Sequence, residues 1–219
     1  MTELSTARSD VQRFRRDLMR WGRDHRRSFP WRETDDPFEV LVAEVLLQRS
    51  RGTTVAGVHR ELFRRWPTAL ALSRANVATV ETVIRPLGLV RRATTLKQLA
   101  QEVVRLGGVP ATLDGLLALP GVGPYAAGAT LAVAFGRRAH VVDGVTARVY
   151  RRYFGSSSDL APSNDKELWG LVEASTPKRN LREWNWAVLD LASSVCLPKV
   201  PRCSVCPLES HCAWSQERA

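Results

Sequence analysis

No apolar run in the sequence approaches the ~20 residues that a membrane-spanning helix needs, which leaves no candidate transmembrane segment. The first twenty residues, MTELSTARSDVQRFRRDLMR, lack the apolar core and cleavage site of a secretory signal. With Val11, Phe14, Leu18 and Trp21 at spacings of three and four, they read as an amphipathic first helix, and the chain as cytoplasmic. Almost nothing alternates as a strand would, and there is no internal repeat or low-complexity tract. Acidic residues are scarce: 22 Asp and Glu stand against 32 Lys and Arg, a net charge of +10. Such an excess suits a polyanionic partner, because each neutralised phosphate releases condensed counterions. A basic soluble protein of arginine-rich composition would show the same balance. Cysteine is missing from everything before Cys196.

What is present is helical. The 219 residues, 44% of them hydrophobic, can fill the core of one large domain or two small ones. Asp36-Pro37 is a helix start, followed by the apolar stretch 38–47. Helical periodicity then predicts helices over 54–65, 76–84, 93–106, 113–119, 124–135, 144–153, 166–174 and 182–194. Short Gly, Pro or Ser breaks separate them, including RPLG at 85–88 and GSSS at 155–158. The fold class is therefore all-α, as packed short helices.

The four cysteines fall at 196, 203, 206 and 212, a Cys-x6-Cys-x2-Cys-x5-Cys spacing. Nothing places the chain in an oxidising compartment, so thiols this close together ask for a metal rather than disulfides. Zinc and iron–sulfur clusters both take four sulfurs, and geometry alone does not separate them. Only Cys203 and Cys206 form a CxxC knuckle, and the wider arms suit a larger cubane. Lys199, Arg202 and His211 punctuate the loop, which a metal would brace as a basic surface; His211 itself reads as a polar surface residue.

Residues 113–135 read LDGLLALPGVGPYAAGATLAVAF: a helix to Leu119, a turn at Pro120-Gly121-Val122-Gly123, and a second helix from Pro124. Two glycines permit a tight turn whose backbone approaches another chain closely. Free N–H groups at the second helix's start then form an anion site, which grips phosphates without reading sequence. A plain αα-hairpin with a glycine-rich turn has the same pattern.

Two carboxylates stand out. Asp143 follows the apolar run 139–142, which contains His140, and precedes GVTARV, a position that suits an N-cap. A fixed anion there can also stabilise the oxocarbenium-like charge that develops as a glycosidic bond breaks, and both roles can hold at once. Glu44 is the only charge between Val40 and Leu47. Its helical neighbours would be Val40, Leu41, Leu47 and Gln48. In an apolar setting such an acid becomes a proton donor near neutrality; on a wet helix edge, or tied to an arginine, it does not.

Together, LPGVG at 119–123, VVDG at 141–144 and the cysteine spacing at 196–212 resemble the endonuclease III–MutY branch of the helix-hairpin-helix DNA glycosylases. The resemblance spans roughly 28–215 and turns the metal reading toward a 4Fe–4S cluster on Cys196, Cys203, Cys206 and Cys212. It implies two helical domains with a DNA cleft between them. One is a helical barrel with the hairpin, 28–136; the other joins 1–27 to 137–219 and carries the cluster loop. It further implies a monomer in the nucleoid, acting on double-stranded DNA with a mismatched or damaged base that is flipped out for excision. Asp143 matches the catalytic aspartate, and Leu119, Gly121, Val122 and Gly123 the DNA-gripping hairpin. Bifunctional members carry, at the position of Tyr125, a lysine that forms a Schiff base; with no amine here, base release without strand cutting is expected.

FPWR at 29–32 and AEVLLQRS at 43–50 resemble two subfamilies without that lysine. One is the adenine glycosylase MutY, the other the Mig-type thymine mismatch glycosylase. Glu44 fits the acid of either. Against MutY stand the chain's end soon after the cluster, Val145 in place of a helper asparagine, and Pro86-Leu87-Gly88-Leu89-Val90 in place of a tyrosine-bearing segment. Arg49 and the segment Arg151-Arg152-Tyr153-Phe154-Gly155 resemble the Mig type; Gly144 resembles MutY. Arg49 would fill the gap left by the flipped base and Gln48 would touch the opposite strand, although both also suit ordinary phosphate binding. Thymine or uracil opposite guanine is the favoured substrate, with adenine opposite 8-oxoguanine or guanine the alternative. A non-catalytic lesion-binding module and a zinc-stabilised structural protein are readings of other classes.

Overall fold

Short polar residues followed by apolar helical stretches recur along the chain, and each of several marks a helix start. The computed structural model describes residues 2–88 and 90–218, with side chains from Ser9 onward; Met1, Leu89 (in the expected 86–90 segment) and Ala219 lie outside the described residues. In chain order the helices are α1 (Thr2–Asp24), α2 (Pro37–Leu47), α3 (Gly52–Arg65), α4 (Ala69–Ser73), α5 (Val77–Ile84) and α6 (Arg92–Arg105). They continue with α7 (Leu113–Leu117), α8 (Pro124–Ala134), α9 (Gly144–Phe154), α10 (Lys166–Ser175), α11 (Leu181–Ser194) and α12 (Ala213–Gln216). No strand occurs among the described residues, so the fold is all-α. Among the same residues no helix is long and apolar enough to cross a membrane.

Side-chain oxygens of Asp36, Thr68, Asn76, Thr112 and Asp165 accept from backbone N–H groups of α2, α4, α5, α7 and α10. Each satisfies a donor that the first helical turn leaves orphaned. Pro37 and Pro124 occupy first-turn positions where the missing N–H costs nothing.

The chain divides into two compact units, Ser28–Arg137 and Met1–Arg27 with Arg138–Ala219. In the first, α2 is buried at Phe38 and at every position from Val40 to Leu46. A helix apolar on all sides belongs at the centre of a core. It packs on α8, buried continuously from Ala126 to Val133, whose small side chains admit close approach. Leu41 and Leu46 are fully buried, and each such side chain is worth about 1.5–3 kcal/mol relative to exposure.

In the second unit, Phe14 of α1 is the hub of an aromatic cluster, its ring 4.7 Å from that of Tyr153 and 5.7 Å from that of Trp184. Gly22 lets α1 lie against α11: a Cβ there would stand 2.6 Å from the Ala187 Cβ.

Two helices escaped the sequence reading, α4 and α12, because five and four residues carry too little periodicity. The hairpin's first helix stops at Leu117 rather than 119. Leu119 precedes Pro120, whose ring disfavours helical backbone in the residue before it.

Candidate functional site

At the hairpin, Val122 N donates to Leu119 O (3.2 Å), closing the turn. Only Gly121 takes the left-handed conformation, at φ 77°. Gly123 is extended (φ −96°) and serves as N-cap of α8, a position with no side chain to satisfy the first-turn amides. Those amides are what an anion would meet. The Leu119 and Val122 side chains are buried, so these residues offer backbone rather than side chain to a partner.

A Cβ on Gly121 would stand 2.5 Å from Thr95 Cγ2 of α6. Gly121→Ala therefore combines a left-handed alanine with a clash, and is expected to destabilise the fold by about 1–3 kcal/mol and to weaken DNA binding. Adding Thr95→Ser removes the obstructing methyl and should recover part of the melting temperature, which thermal denaturation of the single and double variants checks.

The segment after α2 is fastened to the same turn. Gln48 Nε2 donates to the Gly121 carbonyl (2.9 Å). Arg92, at the start of α6, donates through Nη1 to the Leu46 carbonyl (2.9 Å) and Ser50 Oγ (3.3 Å), and through Nη2 to the Gln48 carbonyl. Burial and the neighbouring Arg49 charge lower the Arg92 pKa. Gln48 has helical φ but ψ 115°, so the chain turns away directly after it; the arginine holding the last carbonyls of α2 shapes this exit. Arg49 then adopts φ 57°, unusual for a residue with a Cβ, and is exposed. Glu44 lies in the buried part of α2 at 8% exposure. Tyr125, at the second position of α8, is half-buried rather than a core aromatic.

Asp143 caps α9. Its Oδ1 accepts from Val145 N (2.9 Å), Thr146 N (2.8 Å) and Thr146 Oγ1 (2.9 Å). In return Asp143 N donates to Thr146 Oγ1 (3.0 Å), a reciprocal capping box. These bonds fix the carboxylate's orientation through one oxygen. Oδ2 carries no hydrogen bond among the described residues, and it sits at the positive end of a helix, where anions are favoured.

The same helix grips the cysteine loop. Arg148 donates to the carbonyls of Cys196 and Ala192, each at 2.8 Å. Arg152 donates to the carbonyls of Leu197 (2.7 Å) and Pro198 (2.8 Å), and its guanidinium lies 4.5 Å from the Trp214 ring. Sequence reading missed both arginines in this role, although their spacing of four on α9 places them on one face. Arg152 Nη1 also approaches Cys196 Sγ at 3.5 Å. Cys196, Cys206 and Cys212 pack against the apolar core of the unit. Burial pushes the Cys206 thiol up to about 12, with the Cys196, Cys212 and Cys203 sulfurs adding to the effect. Cys212 is raised for the same reasons. Among the described residues no His, Cys, Asp or Glu side chains are drawn together as around a single metal ion. Four partly buried thiols on one short loop nevertheless fit a group that supplies shared positive charge. Lys199, Arg202 and His211 are exposed on this loop.

Comparison with known proteins places these features in a family. Residues 42–174 match the sequence profile described as HhH-GPD superfamily base excision DNA repair protein. A thymine/uracil-DNA glycosylase of Pyrobaculum aerophilum is 39% identical over 217 residues, covering 95% of this chain and 94% of that protein. The human adenine DNA glycosylase is 35% identical, over 95% of this chain and 40% of that protein. The solved structure of a thermostable thymine-DNA glycosylase superposes with a TM-score of 0.89 at 32% identity, covering 95% of this chain and 98% of that one.

Proposed function

The chain belongs to the HhH-GPD superfamily of base excision DNA repair proteins, and we propose that it is a monofunctional DNA glycosylase removing thymine or uracil opposite guanine. The observation that carries the chemistry is Asp143, one oxygen locked by a capping box and the other without a partner. The choice of base rests on likeness to the thymine/uracil-DNA glycosylase, which runs nearly the full length of both chains.

In this reading the hairpin amides and the basic surface hold the phosphates of the duplex, and the target nucleotide leaves the stack. The exposed Arg49 takes the vacated space, while Gln48, anchored to Gly121, faces the opposite strand. The N-glycosidic bond breaks with its electron pair going to the base, which gains a proton from Glu44. The positive charge left on the sugar is stabilised by Asp143 Oδ2, and water adds there, its proton passing through solvent to restore the Glu44 carboxyl, to give an abasic site. Tyr125 offers no amine to capture the sugar, so the strand stays whole. Cys196, Cys203, Cys206 and Cys212 would hold a 4Fe–4S cluster, which supplies a rigid brace for a loop bearing Lys199 and Arg202 and takes no part in bond cleavage.

A single-turnover panel of lesion duplexes tests this. Base release is expected from G·T and G·U duplexes, with strand breaks only after alkali. Adenine release is the second reading, favoured by Gly144 after the aspartate and by the human relative; processing of A·8-oxoguanine alone would establish it and overturn the first.

A further inference from the structure

A cavity of the Asp143-bearing unit, about 760 Å³, is lined by none of the residues given a functional role above. It lies along α1 and the start of α11, where five arginines (Arg15, Arg16, Arg23, Arg26 and Arg179) meet one carboxylate, Glu183. Two of these charges, Arg23 and Arg179, have no carboxylate partner among the described residues. Arg15 donates to the neutral carbonyls of Ala174 (2.8 Å) and Ser175 (2.9 Å), and burial together with Arg138 lowers its pKa. Arg26 lies 4.1 Å over the Trp186 ring. Arg16 is matched by Asp17 at 2.8 Å.

Like charges around one hollow repel unless an anion shares them. Guanidinium forks match phosphate oxygens two at a time. The volume lies within the range of small-ligand pockets, about 300–1,000 Å³. That volume holds a few phosphate groups, as a strand end or a short oligophosphate would present.

We propose that this hollow is an oligophosphate-binding site, separate from the excision site, that takes a linear run of phosphate groups. Two sources share that chemistry, a nucleic-acid strand and a free oligophosphate. The site does not rest on the choice of excised base.

Calorimetric titration of the full chain with tripolyphosphate and with the tetranucleotide (dT)4 tests it. The variant Arg23→Glu/Arg179→Glu alters two exposed side chains, and Arg60→Glu/Arg74→Glu makes the same charge change on the other unit. The cavity variant is expected to lose affinity by about tenfold or more, given two charge-assisted contacts removed. The control should bind as the wild type does, and both should melt normally and excise bases at the wild-type rate. Binding of both probes assigns free oligophosphate, and binding of (dT)4 alone assigns a strand. No binding by the wild type, equal losses in both variants, competition by a lesion duplex, or tighter binding of hexaglutamate each overturns the proposal.

Discussion

Asp143→Asn is expected to abolish base release while leaving the protein folded and bound to DNA. The two roles of this residue use different oxygens, and asparagine separates them. Its Oδ1 can still accept from Val145 N, Thr146 N and Thr146 Oγ1, the bonds that Asp143 Oδ1 accepts. Asparagine caps helices about as well as aspartate, so the melting temperature should hardly move. The other oxygen becomes an NH2 group, a donor without negative charge, facing a sugar that develops positive charge. Removing one preorganised stabilising group of this kind costs about 10²–10³ in rate, and replacing an anion by a donor belongs at the upper end. Asp143→Ala loses the cap too, at about 1 kcal/mol, or about 2–4 °C for a chain of this size. Single-turnover base release, thermal melting and a gel-shift titration of both variants give the pattern. Wild-type excision by the asparagine variant would reduce Asp143 to a cap.

Capping chemistry is also where the sequence was most informative about the fold. Asp36-Pro37 and Asp143 announce their helices because a short acceptor side chain acts on backbone within three residues of itself, and Asn76 and Thr112 cap theirs in the same way. Helix ends are another matter. Where α2 stops depends on Arg92, 46 residues from the Leu46 carbonyl it binds, and in sequence that arginine looks like the wet side of an amphipathic helix. The hairpin glycines read as equivalent, yet only Gly121 needs positive φ. Its neighbour Thr95, which makes the position intolerant of a side chain, carries no local signal at all. The cysteines stand out in the sequence by their spacing, whereas Arg148 and Arg152, which fasten their loop, do not, because their partners are carbonyls contributed by α11 and the segment that follows it.

That fastening determines what Cys206→Ser should do. The substitution keeps the shape of the side chain and removes one of four sulfurs, and purified protein is expected to lose its iron and its broad visible absorbance together. Wild-type protein carrying one zinc and no iron would overturn the cluster reading outright. A four-point tie across 196–212 restrains the unfolded chain at least as much as one disulfide over a similar loop, about 3 kcal/mol. At about 2–4 °C per kcal/mol, the midpoint should fall by roughly 6–12 °C. The functional loss should be uneven. Arg148 and Arg152 would still hold the start of the loop to α9, and the Asp143 capping box at the other end of that helix involves no cysteine. Lys199 and Arg202 lose their brace, however, so DNA affinity should drop and the salt dependence of binding become shallower as phosphate contacts are lost. The excision rate at saturating enzyme should change far less than the affinity. An equal fall in rate at saturation would place the cysteine loop in the chemistry itself, contrary to the bracing role that its packing against α9 supports.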